Sequence, residues 1–373
     1  KAAELAKMGE VLTNSQIGGR RNIAYNGAMK VAQRGTSSTG IGASSGFFTL
    51  DRYKISVSGT AGRLTMSQVA VTDLPGFANA LKLDCTTADT SIASGEFLLL
   101  HQDFEGQDVQ QMKKGTSDAE KVTVSFYVKG NASATYAVEL FDNDNDRSVS
   151  QSFSVTTSWN RVILTFPADT TGTFDDDNAT SLRMFFWLHS GSTYGGGSLG
   201  TTWHTTAANR AAGISSFFDS TDRELFITGI QMEVGSQATP FEHRSFGEEL
   251  KLCERYFQKH LGTQDSNFYT TYAAQRWATN TAFMSFPLRG IMRAEPSLAF
   301  KDKNGTALGS SSVVGLMSGD GNHDNFTAGN VAFTSGHDGV AVFTITLDYN
   351  PDNNHAHNAY IDNLTRMDFD AEL

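Results

Sequence analysis

The chain is short of several things that would define a function class. It has 2 cysteines in 373 residues. Cys85 and Cys253 lie far apart, which excludes a disulfide framework and a cysteine-based zinc site, and both are expected as small buried apolar residues. Proline numbers 6 against 35 glycines, the balance of a turn-rich β protein rather than a disordered one. Charged residues make up 18 %, so Ser, Thr, Asn and Gly must carry much of the surface. Positive charge is the scarcer sign: 29 Lys+Arg against 40 Asp+Glu leave a net charge of −11. That argues against nucleic acid or an anionic membrane as the main partner. No apolar run approaches the roughly 18 residues of a spanning helix, so no membrane insertion is expected. The N-terminal KAAELAKMGEVL lacks the apolar core of a secretory signal. It begins at Lys1 rather than Met, as expected of a fragment or a processed product. No P-loop, dinucleotide fingerprint or H-E-x-x-H occurs.

What is present is β patterning. KVTVSFYVKG (121–130) sets Val122, Val124, Phe126 and Val128 on one face and Thr123, Ser125, Tyr127 and Lys129 on the other, a half-buried antiparallel strand. Further strands are expected over 134–141, 161–166, 182–188 and 224–234. In the last, the apolar phase shifts at Thr228-Gly229, which indicates a bulge. Many short strands joined by Gly/Ser/Asp loops make a sandwich or jelly roll. Residues 1–17 have helical spacing through Leu5, Met8 and Leu12 until Gly18-Gly19 breaks it. A linking helix is expected over 246–260: Ser245 and Glu248 form a capping box, and Phe246, Leu250, Cys253 and Phe257 make one apolar stripe. The fold expected is mainly β: an N-terminal attachment helix (1–20), a jelly-roll β-sandwich (21–245), the linking helix (246–260) and a smaller C-terminal β domain (261–373), where 340–349 alternates cleanly.

Candidate sites are few. GSTYGGGSLGTTWH (191–204) holds Tyr194, Trp203 and His204 in a Gly-rich loop. Sugars stack on aromatic rings edged by polar groups, so this loop suits a glycan; the plain alternative is that Trp203 caps the core. In DNDNDR (142–147), Asp142, Asp144 and Asp146 alternate as for a hard cation such as a structural Ca²⁺. An EF-type loop fails there, with Arg147 and Phe153 at its sixth and twelfth positions, and an Asp/Asn-rich hairpin turn explains the residues as well. The same holds for FDDDN (174–178). His355 and His357 form a His-x-His pair able to face one way on a strand; in a trimer, three pairs could hold a transition metal, while surface histidines are the plain alternative. Gly42–Gly46 matches G-x-S-x-G but lies in a Ser/Gly-rich loop without the required strand and helix. No required cofactor is expected. No spacing selects a catalytic pair, so a non-enzymatic protein is expected.

Several motifs in order resemble those of tailed-bacteriophage tail-fibre and other virion proteins that carry a carbohydrate-binding-module-like jelly roll. RNIAYNGAMKVAQRG (21–35) is similar to their opening, LDRYKI (50–55) to a following strand, and HQDFEGQDVQQMKKGT (101–116) to a loop and helical turn. KVTVSFYVKG and TTSWNRVILTFP (156–167) resemble internal strands. ELFITGIQMEVGSQATPFEHRSFGEELKLCERYF (224–257) is similar to their closing strand, turn and helix, and SFPLRGIMRAEPSL (285–298) to a segment of the terminal domain. Tyr53 stands where the family often has Trp. The resemblance implies a trimeric appendage of the virion, on the tail or elsewhere. It would bind host-surface glycan and assemble as a homotrimer with other phage tail or capsid proteins. Alternatives are a capsid decoration, tail nozzle or adaptor protein, and a glycan depolymerase, which would need paired carboxylates about 5–10 Å apart.

Overall fold

The computed structural model describes residues 20–261, 270–278, 281–302, 306–308, 312–317, 323–327, 331–335, 339–346, 357–361 and 365–373. The expected helix at 1–17 and His355 lie outside the described residues, as does the side chain of His357. Two compact units divide the chain, Lys1–Glu249 with Leu373, and Leu250–Glu372.

The first unit is a sandwich of two six-stranded sheets, all pairs antiparallel. One sheet orders β1 (Ser37–Ile41), β4 (Arg63–Ala70), β5 (Asn79–Thr87), β12 (Glu224–Val234), β7 (Val122–Gly130) and β10 (Asn160–Phe166). The other orders β2 (Gly46–Phe47), β3 (Lys54–Ser58), β6 (Phe97–Glu105), β11 (Thr180–Ser190), β8 (Ala134–Asp142) and β9 (Arg147–Val155). Alternation decides the faces. Val122, Val124, Phe126 and Val128 of β7 point inward with Leu81, Leu83, Ile227 and Leu164, and meet Leu100, Met184, Phe186, Val138 and Phe153 of the second sheet. Phe126 packs edge-on to Phe186 at 5.2 Å and to Phe153 at 5.0 Å, an arrangement aromatic quadrupoles favour.

The bulge in β12 is where the sequence places it. Register slips between Thr228 and Gln231, and Gly229 takes φ +64°, a left-handed conformation that favours glycine. β7 is more buried than its alternation suggests, because Thr123 and Ser125 on its outer face are also covered. The chain after β12 folds back over them: Thr123 Oγ1 donates to Gly235 O at 2.8 Å, and Arg161 donates to Thr239 O.

Polar residues of segments 21–35 and 231–249 interlock. Glu233 accepts from the Thr239 amide and hydroxyl, Gln231 Oε1 accepts from the Glu242 amide, and Glu242 accepts from the Arg21 and Asn22 amides. Arg244 pairs with Glu249 at 3.3 Å and donates to the carbonyls of Ala24 and Asn22. Most of these polar groups find their partners in one another, which explains why short polar motifs at the two ends of the sandwich go together.

The linking helix is shorter than the expected 246–260. α1 (Phe246–Glu254) begins with the Ser245 hydroxyl accepting the Glu248 amide at 3.2 Å. After a turn at Tyr256, residues Phe257–Leu261 form strand β13 instead. Phe257 and His260 find ladder partners in β22 (Thr365–Asp370), and that pairing overrides the helical spacing. Phe246, at the head of the expected stripe, is 57 % exposed.

The second unit is also β. β13 and β16 (Ser297–Asp302) flank β22, and a seven-stranded sheet orders β18 (His323–Thr327), β17 (Ser312–Met317), β21 (His357–Ile361), β14 (Thr270–Ala278), β15 (Thr281–Pro287), β20 (Val340–Thr346) and β19 (Val331–Ser335). In β20, Ala341 is buried and Val340 exposed, as alternation requires; residues 347–349 lie outside the described residues. Phe286 stacks on Phe369 at 5.7 Å, with His260 edge-on to both.

Candidate functional site: the outer face of the second sheet

β6, β11 and β8 send alternate side chains away from the sandwich core. Their register aligns Trp187 with Leu99 and Ala137, Phe185 with His101 and Glu139, and Arg183 with Asp103 and Phe141. An outer sheet face would normally be wet. Here Trp187 is only 1 % exposed, because segment 191–216 lies across it. The Ser150 amide and hydroxyl donate to Gly200 O and Arg210 O, the Ala211 amide to Tyr194 O, and the Ser215 amide to Thr135 O.

At the centre, Glu139 is fully buried. Arg210 grips it through Nε at 2.7 Å and Nη2 at 3.2 Å, and the Trp187 indole donates to it at 2.5 Å. The same guanidinium lies over Phe141 at 4.6 Å, with Trp187 and Tyr194 at 5.4 and 5.7 Å. Rings with polar groups at their edges are what a sugar surface requires, and partly exposed Phe141, Tyr194, Phe97 and Arg183 form the accessible part.

Beside this cluster lies a polar chain. Ser56 Oγ is 2.8 Å from His101 Nε2, and His101 Nδ1 is 2.8 Å from Asp103 Oδ1. Burial pushes the Asp103 carboxyl up, but the charge and hydrogen bond of His101, with Arg183 and Lys54, outweigh it and hold the group below its usual value. An ionised carboxylate only accepts, so Nδ1 carries the proton and, in the neutral ring, Nε2 accepts from Ser56. Arg183 Nε is 3.9 Å from Asp103 Oδ1 and makes no hydrogen bond.

The three residues of the Gly-rich loop go to different places. Tyr194 joins the face, 5.2 Å from Trp187 and 5.6 Å from Phe97. Trp203 turns to one end of the sandwich, where its indole donates to Pro167 O at 2.8 Å and lines a pocket with Phe174, Leu140 and Lys114. His204 bridges to Ser148 of β9; burial lowers the pKa of its ring, and Nδ1 accepts the Thr206 amide. Of the 142–146 turn, Asp142 is fully buried and salt-bridged to Lys114 at 2.5 Å, while it also caps the amides of Asp144 and Asn145. Asp144 accepts the Asp175 amide, and Asp146 takes φ +52° in the turn. Among the described residues no three His, Cys, Asp or Glu side chains converge as a metal site. Ser56, His101, Asp103, Glu139 and Arg210 were not singled out from the sequence. The H-x-D spacing at 101–103 was the one local signal, since it places both side chains on one strand face.

No known family profile and no curated protein matches the chain. Solved structures with a similar arrangement include a module described as "CBM4 structure and function", 10% identical over 56% of this chain and 97% of that one, with TM-score 0.29. Another is TmCBM61 in complex with β-1,4-galactotriose, 10% identical over 58% of this chain and 99% of that one, TM-score 0.30. A third is the enzymatically active domain of tailspike protein 4 from bacteriophage CBA120, 11% identical over 57% of this chain, TM-score 0.30. The match spans 21% of that tailspike domain's length.

Proposed function

We propose that this chain is a glycan-binding virion protein of a tailed phage, carried on a homotrimeric tail fibre or related appendage and used in adsorption to the host surface. The observation that carries glycan binding is the outer sheet face, where Phe141, Tyr194 and Phe97 stand beside the Arg210–Glu139 pair and Arg183. Aromatic surface for the apolar side of a sugar and fixed polar groups for its hydroxyls are the two things such a ligand needs. The virion assignment rests on the ordered sequence motifs at 21–35 and 224–257, whose residues interlock in the fold. Each face would bind weakly, and three linked copies would raise the effective concentration.

The test is binding of the purified protein to an array of bacterial surface glycans, with its mass measured by light scattering. A trimer that binds is expected, and Phe141→Ala with Arg183→Ala should weaken binding by about tenfold or more, some 1.4 kcal/mol. Trp159→Ala, which removes a ring packed beside Phe226 and Lys129 of the opposite sheet, should leave it unchanged. A folded trimer that binds no glycan, or binding unaffected by the double substitution, would overturn the assignment.

A further inference from the structure

We propose that Ser56, His101 and Asp103 form a nucleophilic relay that cleaves carboxylic esters on the outer face of the second sheet. This goes beyond glycan binding and departs from the expectation of a non-enzymatic protein. The three groups come from neighbouring strands. Lys54 stands opposite His101 in the β3–β6 ladder, so Ser56, two residues on, reaches His101 diagonally on the same face. Asp103 follows His101 by two residues and shares that face. The result is an unbroken chain of hydroxyl, imidazole and carboxylate, with both links at 2.8 Å. Such a chain is recognised by geometry and roles rather than by sequence position.

The surroundings fit those roles. Asp103 and His101 are both buried, so the carboxylate orients the ring away from water. Phe185 meets the ring edge-on at 5.1 Å and fixes its plane. Ser56 is the partly exposed member, on the side a substrate would approach. Lys54, two residues from Ser56 on the same face, brings positive charge to the Ser56 side, while Arg183 stands opposite Asp103 in the β6–β11 ladder and adds positive charge beside the carboxylate.

In the proposed reaction, Ser56 Oγ attacks the ester carbonyl and its proton passes to His101 Nε2. The tetrahedral oxyanion collapses, the C–O bond to the alcohol breaks, and His101 returns the proton to the departing alkoxide. Water then attacks the acyl-serine with His101 again taking the proton, releasing the carboxylic acid and restoring Ser56. The only co-reactant is water. With only Ser56 partly exposed, the relay suits a short acyl group carried on a larger molecule.

The probes are p-nitrophenyl acetate for turnover and a fluorophosphonate for covalent capture, with the labelled residue located by peptide mass spectrometry. Expected are labelling at Ser56 and acetate release in the full chain. Both should be lost in Ser56→Ala, and release should fall by about a hundredfold or more in His101→Gln. Asp103→Asn, which keeps the shape of the site, should lower turnover yet leave Ser56 in place. Ser56→Ala leaves the buried His101 Nε2 without its donor, so a cooperative thermal transition only modestly lowered shows that it is folded and separates chemistry from folding. No labelling of the folded parent, labelling at another residue, or undiminished release in Ser56→Ala would overturn the relay. Neither probe contains a sugar, so this failure is distinguishable from failure of glycan binding on the array.

Discussion

Arg210→Ala probes how segment 191–216 is held on the sheet. Glu139 has no exposed surface, and Arg210 supplies two of its three donors, at 2.7 and 3.2 Å. Removing the guanidinium leaves a buried carboxylate facing only the Trp187 indole. Breaking a buried pair from one side costs about 3–5 kcal/mol. Loss of the guanidinium plane over Phe141 and Trp187 adds about 0.5–2 kcal/mol. Urea unfolding of the full chain, followed by tryptophan fluorescence, reads this directly. With a slope of about 2–3 kcal/mol per molar, the midpoint of the sandwich should fall by roughly 1.2–3.5 M. Replacing both partners, Glu139→Gln with Arg210→Met, leaves no bare charge and keeps most of the volume, so at least half of the loss should return. A midpoint change under about 0.5 M in Arg210→Ala, or a double variant no better than the single, would refute the view that this pair pins the segment.

Other perturbations have definite signs. Gly229→Val would place Cβ 2.8 Å from Phe77 and 2.9 Å from Tyr127 at φ +64°; a loss of about 1–3 kcal/mol is expected in thermal or urea unfolding. Lys114→Met would strip the cation from buried Asp142, 2.5 Å away, and leave Asp169 to Arg147, at about 3–5 kcal/mol. Since Lys114 occupies that position, adding Ca²⁺ or a chelator should leave the thermal midpoint unmoved. Burial, helped by the charge of Arg289, pushes His260 down to about 4 from 6.5. The neutral ring is thus favoured on folding, so its contribution is complete above about pH 6.5 and lost as pH falls towards 4. That loss is up to about 3 kcal/mol, and His260→Gln should flatten this part of a stability–pH curve.

Local pattern carried far in the first unit. Strands at 122–130, 134–142, 160–166, 180–190 and 224–234 stand within two residues of their expected limits, because each alternates and each is bounded by turn residues. The cap at Ser245 was legible for the same local reason. The helix end was not: Phe257 and His260 keep helical spacing, but their backbone groups are claimed by β22, more than 100 residues later. Tyr194 and Trp203 look equivalent in one Gly-rich loop, yet the loop turns between them, sending one ring to the sheet face and the other to the end of the core.

Alternation alone tells which residues of a strand share a face, because the side-chain period of two is built into the backbone. It therefore determined the mainly β fold, the inward rows of the sandwich, the bulge at Gly229 and the common direction of His101 and Asp103. It is silent on which strand lies beside which. Ser56 reaches His101, and Arg210 reaches Glu139, only through ladder register and loop closure over 45 and 71 residues of chain. Such pairings depend on the whole chain packing at once, so only the tertiary structure decided them.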